Sequence, residues 1–391
     1  MKIAYLSEFN ILDPMARSDH HPKAVGQRER CYQASKALQR SSTTVNYITS
    51  LETKEAIVPK LKWRFYQKFL RKNYLSWADP QVGEYYAAQI KTKLNHLGDT
   101  DIIVAPDINL IAYLDYPLPI VLWTDSLYTG LIDAYSDYSN LCRESFNHLT
   151  MMDRQALSRC QLAIFSSGWA ANLAQKHYQL RDHQVEVVPT GTNLELNHTV
   201  DNINKIIEAR SSQVCKLLFV GADWERKGGD VAIRVVKKLN HLGVNSELTI
   251  VGCKPPDHRS LPEFIKVAGF IKKSVPSGQE KLAQFYREAH FLILPTKADC
   301  TPATIREASF FGLPSLSTKV GGIPTLIKDD YNGKTFSLEA DIAEYCDYVR
   351  DVFTNYPQYK ELARCSFKEY QSKLSWNVAG EKVVRLLQTC L

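Results

Sequence analysis

In Val220-Gly-Ala-Asp-Trp-Glu-Arg-Lys-Gly-Gly-Asp230 an apolar run stops at Gly221, and adjacent cations, Arg226 and Lys227, precede a helical pattern that begins near Gly229 or Asp230. Glycine lets a backbone approach a ligand closely, and a helix start favours anions. Arginine forks onto two phosphate oxygens, while lysine adds a mobile point charge. The stretch therefore suits a diphosphate clamp; it equally suits a solvated basic loop balanced by Asp223 and Glu225. It is neither a Walker loop nor a Gly-x-Gly-x-x-Gly turn.

The second chemically loaded stretch is Leu294-Pro-Thr-Lys-Ala-Asp-Cys-Thr-Pro-Ala-Thr-Ile-Arg-Glu-Ala308. Thr301 is expected to cap a helix with Pro302 in its first position, and Gly312 to end it. The amides near Ala303 and Thr304 would then be open donors at the positive end of a dipole. Glu307, one turn further on, is expected to point back toward that end, because helical side chains lean toward the N-terminus. A carboxylate there suits a neighbouring diol, and Asp299 would sit across the same site, able to bind further hydroxyls. Together these residues suggest a sugar–diphosphate–ribose ligand. The bland alternatives are a surface helix residue beside Arg306 for Glu307 and a turn-former for Asp299.

Such residues need elements to hold them, and the apolar pattern supplies those. Strands are expected at Lys2–Ser7, Val45–Ile48, Ile102–Ala105, Ile120–Trp123, Leu162–Phe165, Val185–Val188, Lys216–Val220, Glu247–Val251, Ile265–Ala268, Phe291–Leu294 and Ser315–Ser317, with helical patterns between most of them. That alternation implies an α/β protein of two doubly wound parallel sheets. Open parallel sheets bind ligands beyond the carboxyl ends of their strands, so two facing sheets would bind in the cleft between them. The 391 residues suffice for two domains, at about 100–200 residues each. With 45% hydrophobic and 23% charged residues the chain is neither disordered nor fibrous. A net charge of +6, spread over both halves, is too small for a dedicated nucleic-acid binder. Nine cysteines without a Cys-x-x-Cys pair read as free thiols of a reducing compartment and argue against structural zinc. The start lacks a long enough apolar run for a signal peptide, and no ~20-residue apolar span exists. The expected location is cytoplasmic.

Taken in order, these motifs resemble a GT-B glycosyltransferase of family 4. That family's mark is an acidic residue, seven residues and Glu; here it is Asp299-x7-Glu307, with Asp where Glu is usual. Arg226-Lys227 resembles the family's phosphate site, although the cations are adjacent rather than spaced. Val188-Pro-Thr-Gly-Thr-Asn193 resembles its interdomain segment, Val267-Ala-Gly-Phe-Ile271 the segment whose backbone meets the nucleobase, and Pro314–Pro324 the strand and Gly-Gly turn after the acidic helix. The helix from Ser375, with Trp376, Ala379, Val383, Leu386 and Leu387 on one side, resembles the tail that crosses back to the first domain. The resemblance implies an acceptor-binding domain at 1–192, a linker at 193–213, a nucleotide-sugar-binding domain at 214–374 and the returning helix at 375–391.

By that resemblance the chain moves a sugar from a nucleotide-diphosphate donor to a hydroxyl of a glycan or lipid-linked acceptor. Configuration is retained and no metal or cofactor is used; the nucleotide sugar is a co-substrate. Asp125, in Trp123-Thr-Asp-Ser126, falls where the family places a group beside the donor sugar; its alternative is a helix cap. The implied catalytic set is Asp125, Arg226, Lys227 and Asp299. The implied donor-binding set is Gly26, Gly221, Arg226, Lys227, Gly269, Phe270, Ile271, Thr301, Ala303, Thr304 and Glu307. Ser167 is read as structural or cleft-facing, and His20 and His21 as a loop pair. A sugar phosphorylase, a nucleotide-sugar epimerase or a non-catalytic scaffold with a decayed site are the competing readings.

One stretch lies outside that scheme. Residues 59–77 carry six basic and no acidic side chains, with Trp63, Tyr66, Leu70, Tyr74 and Trp77 at helical spacing. Such a helix could rest on an anionic membrane or pack its stripe inside the first domain with its cations in water.

Overall fold

The alternation of short apolar runs with amphipathic stretches produces two parallel sheets. The computed structural model describes residues 1–13, 22–52, 57–194, 199–256, 260–273 and 275–391. The chain divides into two units, Met1–Pro189 with Ala379–Leu391, and Thr190–Val378. The chain has an α/β fold of two units, each built on one parallel sheet.

In the first unit the described strands are β1 (Lys2–Leu6), β2 (Thr44–Ile48), β3 (Ile102–Ala105), β4 (Ile120–Thr124), β5 (Leu162–Phe165) and β6 (Val185–Val187), in the order β2-β1-β3-β4-β5-β6. Every pairing is parallel. β3, β4 and β5 are buried along their whole length, which is why they read as continuous Ile/Val/Leu runs rather than alternating ones. The end of the chain belongs to this unit: Val383 and Leu387 are buried, and Lys382 Nζ donates to the Val187 carbonyl at 3.0 Å.

In the second unit β7 (Cys215–Val220), β8 (Ser246–Val251), β9 (Ile265–Gly269), β10 (Phe291–Leu294), β11 (Ser315–Thr318) and β12 (Gly333–Phe336) stand in the order β12-β11-β10-β7-β8-β9, again parallel. This is the order of a dinucleotide-binding sheet, with its switch point between β7 and β10. The two chemically loaded stretches of the sequence begin where these two strands end.

The stretch read as a polar linker, 193–213, contains a helix instead. Val200–Ala209 is a helix with Ile203 and Ile207 buried in the core of the second unit. Arg210 follows it and is buried. Its guanidinium donates to the carbonyls of Gly312 (2.7 Å), Phe311 (2.9 Å), Arg287 (3.1 Å) and Tyr286 (3.4 Å), and to Tyr359 Oη (3.0 Å). These carbonyls close the helices Ala303–Phe310 and Pro276–Glu288, so one cation satisfies acceptors at two negative helix ends.

Residues 59–77 also differ from the single stripe expected. Ile57–Phe65 is a helix that continues as a π-helical turn, Tyr66–Leu70, and stops at Arg71, which adopts a left-handed conformation. Tyr66 stacks on buried Tyr74 with centroids 5.4 Å apart, whereas Trp63, Leu70 and Trp77 are exposed. Lys62 is not a solvated cation: it pairs with Glu144 and lies 3.5 Å from Asp79. Among the described residues no helix is long and apolar enough to cross a membrane.

His290, fully buried before β10, shows how tightly the second unit is specified. Its Nδ1 accepts from the Lys216 amide (3.0 Å), its Nε2 faces Tyr356 Oη (3.3 Å), and that hydroxyl donates to the Arg210 carbonyl (2.6 Å). Protonating Nδ1 would set two N–H groups against each other. Burial first, then the charge of Arg210, push the imidazole down to about 3. The unfolded chain therefore binds a proton that the folded chain refuses, and stability is lost as pH falls. We expect a loss of up to about 1.4 kcal/mol per pH unit below 6.5, ending near pH 3. Urea unfolding from pH 7 to 4 should show this slope, and His290→Asn should flatten it.

Candidate active site

At the switch point of the second unit, Arg226 and Lys227 sit in a short helical turn, Trp224–Lys227, capped by Asp223. The following residue, Gly228, has φ +76°, and a Cβ there would lie 2.0 Å from the Pro295 carbonyl oxygen. Only glycine lets this turn lie so close to the loop after β10. Lys227 Nζ pairs with Asp299 Oδ2, its stem lying along Gly221, and Arg226 Nη1 is 3.6 Å from the same oxygen. Arg226 also donates to the Ala298 carbonyl (2.8 Å) and to Asp223 (3.3 Å). Asp299 is 9% exposed. It is therefore no solvated turn-former, and the cations expected to await a diphosphate are held by a carboxylate of the same site.

Asp299 is also fixed through its backbone. Gly322 N–H donates to the Asp299 carbonyl (3.1 Å), and Gly321, at φ +51°, approaches it so closely that a Cβ would be 2.0 Å from that oxygen. The Gly-Gly turn of the sequence thus seats the Asp299 loop.

The helix after this loop begins one residue later than expected. Pro302 is its N-cap and Ala303 its first residue. The Thr301 hydroxyl does not cap it; the Oγ1 atoms of Thr301 and Thr304 are both buried without a hydrogen-bond partner. Ile305 N–H bonds the Pro302 carbonyl (3.2 Å), which leaves the amides of Ala303 and Thr304 without an intrahelical acceptor. Gly312 follows the helix at φ +56°, as expected of a terminating glycine. Arg306 holds the helix start in place, donating to the Thr301 carbonyl (2.7 Å) and to the Gly191 carbonyl (2.9 Å).

Glu307 is fully buried, which excludes the surface-residue reading. Its carboxylate is not open to a diol as expected. Lys273 Nζ bonds both oxygens (2.7 and 2.8 Å), and Tyr286 Oη donates to one of them (2.8 Å). Sequence reasoning missed Lys273 and Tyr286, since neither shares a motif with Glu307. Lys273 lies in the loop after β9, just beyond Gly269, which has φ +72°, the exposed Phe270, and Ile271. The loops after β7, β9 and β10 thus converge around one helix start.

In the first unit Asp125 lies just after β4. It caps no helix; it pairs with Arg30 Nε (3.2 Å) and accepts from Ser166. Arg30 also lies 3.4 Å from Asp107, which follows β3. Two carboxylates flanking a buried guanidinium keep it protonated despite burial. Burial raises Asp107 and Glu8, although Arg30 acts against this at Asp107 and the Tyr86 hydroxyl against it at Glu8. Arg30 and Asp107 were not legible as partners, being 77 residues apart. Ser167 is a helix cap, accepting from the Ala170 amide (3.3 Å). Gly26 lies within the helix Pro22–Arg40 and is exposed, with nothing among the described residues within 4 Å of a Cβ there. His20 and His21 lie outside the described residues. Among the described residues no cluster of three or more His, Cys, Asp or Glu side chains could hold a metal.

The two doubly wound parallel sheets are the α/β two-domain fold of the GT-B glycosyltransferases. Residues 214–355 match the family described as glycosyl transferases group 1. The chain is 28% identical over 250 residues to a D-inositol 3-phosphate glycosyltransferase of Nocardiopsis dassonvillei, covering 60% of this chain and 57% of that protein. It is 24% identical over 291 residues to the lipopolysaccharide glucosyltransferase WaaG of Escherichia coli, covering 73% of each. The matched region spans about half the length of the inositol-phosphate enzymes. Among solved structures, sucrose-phosphate synthase of Thermosynechococcus elongatus superposes with a TM-score of 0.72 over 99% of this chain and 98% of that one, at 16% identity. HepE of Anabaena, solved in complex with UDP and glucose, superposes with a TM-score of 0.63 over 100% of both chains at 14% identity. At such identities the likeness establishes the fold.

The Lys273–Glu307 pair generates a test. A buried carboxylate stripped of its cation costs about 3–5 kcal/mol. Lys273 is 37% exposed, so water screens part of this, and about 1–2 kcal/mol is expected for Lys273→Met. Glu307→Gln in the same chain should recover most of the loss, because a neutral amide needs no counter-charge. Chemical denaturation of the two single variants, the double variant and the parent measures the coupling.

Proposed function

We propose that the chain is a retaining glycosyltransferase that carries a sugar from a nucleoside-diphosphate sugar to a hydroxyl of a glycan or lipid-linked acceptor. The observation that carries this reading is the cradle at the start of the helix Ala303–Phe310: two open amides, two buried hydroxyls without partners, Thr301 and Thr304, and the cations Lys227 and Arg226 one loop away. Buried hydroxyls normally have partners, and an anion seated on the two amides would bring oxygens to the same helix start. The relatives named above are glycosyltransferases, and HepE holds UDP.

In this reading the diphosphate lies on the amides of Ala303 and Thr304 and draws Lys227 and Arg226 from Asp299. Asp299 is then free to orient a hydroxyl of the sugar. Lys273, only half-buried, swings aside so that Glu307 accepts from the ribose, while the backbone of Gly269, Phe270 and Ile271 meets the base. The bond between the anomeric carbon and the diphosphate oxygen breaks, its electron pair leaving on the diphosphate. The acceptor oxygen bonds the same face of that carbon, and its proton passes to the diphosphate. The cations and amides stabilise the charge developing on the leaving group, where loss of one donor costs about 10²–10³ in rate. The reading includes a cytoplasmic setting and no resident metal.

The following outcomes are expected. UDP or another nucleoside diphosphate should raise the melting temperature, and Lys227→Ala should weaken binding at least tenfold and lower turnover about 10²–10³-fold without unfolding the chain. Free diphosphate should appear only when acceptor is present, which separates transfer from phosphorolysis and epimerisation. EDTA should leave the rate unchanged. Failure of every nucleotide to bind would overturn the assignment.

A further inference from the structure

The segment Ile57–Leu70 presents an apolar surface to solvent that nothing in the proposed transfer reaction uses. Ile57, Leu61, Phe65 and Phe69 follow one another in steps of four and are 75%, 59%, 52% and 69% exposed. A contiguous row of large apolar side chains in water marks an interaction surface. Arg64, Lys68 and Arg71 are exposed beside this row, and residues 57–77 contain no acidic side chain.

The opposite face is clamped to the first unit. Pro59 is buried, Lys62 pairs with Glu144, and Tyr66 donates to Glu144 (3.2 Å) while stacking on Tyr74. Tyr74 in turn donates to Asp79 (2.6 Å), the residue that caps the helix Pro80–Leu97. The exposed row is therefore displayed by a fixed helix. Its entropy of ordering is already met before anything binds.

We propose that this face is a membrane-docking surface that inserts Ile57, Leu61, Phe65 and Phe69 among the acyl chains of an anionic leaflet, with Arg64, Lys68 and Arg71 at the level of the lipid phosphates. The choice of occupant follows from charge. A second copy docking by the same face would set these cations against their own equivalents, which is repulsive. An anionic bilayer offers negative charge and hydrocarbon side by side, the combination that an amphipathic basic helix matches. Each cation near such a surface strengthens binding about fivefold. The proposal is independent of whether sugar transfer is the activity.

Co-sedimentation of the full chain with vesicles tests it, using phosphatidylcholine alone and equimolar phosphatidylcholine and phosphatidylglycerol. The parent chain should bind the mixed vesicles, bind the neutral ones at least tenfold more weakly, and be released by high salt. Arg64→Ser, Lys68→Ser and Arg71→Asn together should weaken binding to mixed vesicles at least tenfold; Leu61→Ser with Phe69→Ser should do the same. Both variants alter exposed side chains, so their melting temperatures should match the parent's. Trp63 fluorescence should shift to the blue on binding. No binding to mixed vesicles, equal binding to neutral ones, or unchanged binding by either variant would overturn the proposal. So would a concentration-dependent dimer that Leu61→Ser with Phe69→Ser abolishes.

Discussion

A carboxylate withdrawn from water must find a cation or shed its charge, and this constraint organises the second unit. Asp299 and Glu307 flank the start of one helix, and each is compensated from a different loop. Lys227 and Arg226 come from the turn after β7, and Lys273 from the loop after β9. Three strand ends are thereby tied to one point. The close approaches this demands are possible only where a side chain is absent, at Gly228 against Pro295 and at Gly321 against Asp299. A diphosphate bound there would exchange one negative partner of Lys227 for another, so the site stays preorganised by charges that need not be created when ligand arrives.

The other end of the same helix obeys the complementary rule. Arg210 collects the carbonyls of Phe311 and Gly312 together with those of Tyr286 and Arg287. The negative dipole ends are thus neutralised inside the protein, while the positive end at Ala303 is left to whatever anion approaches. The first unit uses the same physics with the signs reversed: one buried guanidinium, Arg30, is shared by Asp107 and Asp125 beyond the ends of β3 and β4. The helix Ile57–Phe65 divides polarity differently. Its ionic contacts and the stacked Tyr66 face the unit, and its apolar row faces out.

The sheets were readable because buried parallel strands must be apolar on both faces. Eleven of the twelve described strands coincide with apolar runs to within a residue or two. The exception, Gly333–Phe336, has a single apolar side chain at a sheet edge and carries no such signal. Val200–Ala209 went unrecognised because its isoleucines stand among polar residues, and it buries only Ile203 and Ile207. Of the site, the motif residues Arg226, Lys227, Asp299 and Glu307 were legible, and so was their common neighbourhood. Thr301, whose hydroxyl caps nothing, was misread because local spacing does not reveal which neighbours the fold supplies.

By itself, then, the order of residues determined the strand–helix alternation, the parallel sheets and the positions after β7 and β10 where ionic side chains gather. These follow from periodicity and turn chemistry, which are local. Tertiary structure alone decided the pairings: Lys273 and Tyr286 with Glu307, Lys227 with Asp299, Arg30 with Asp107 and Asp125, and Lys62 with Glu144 rather than with solvent. Electrostatic compensation acts through space at a few ångströms, between residues that the chain separates by tens of positions. A pattern along the chain can therefore name the charges, but only the fold chooses their partners.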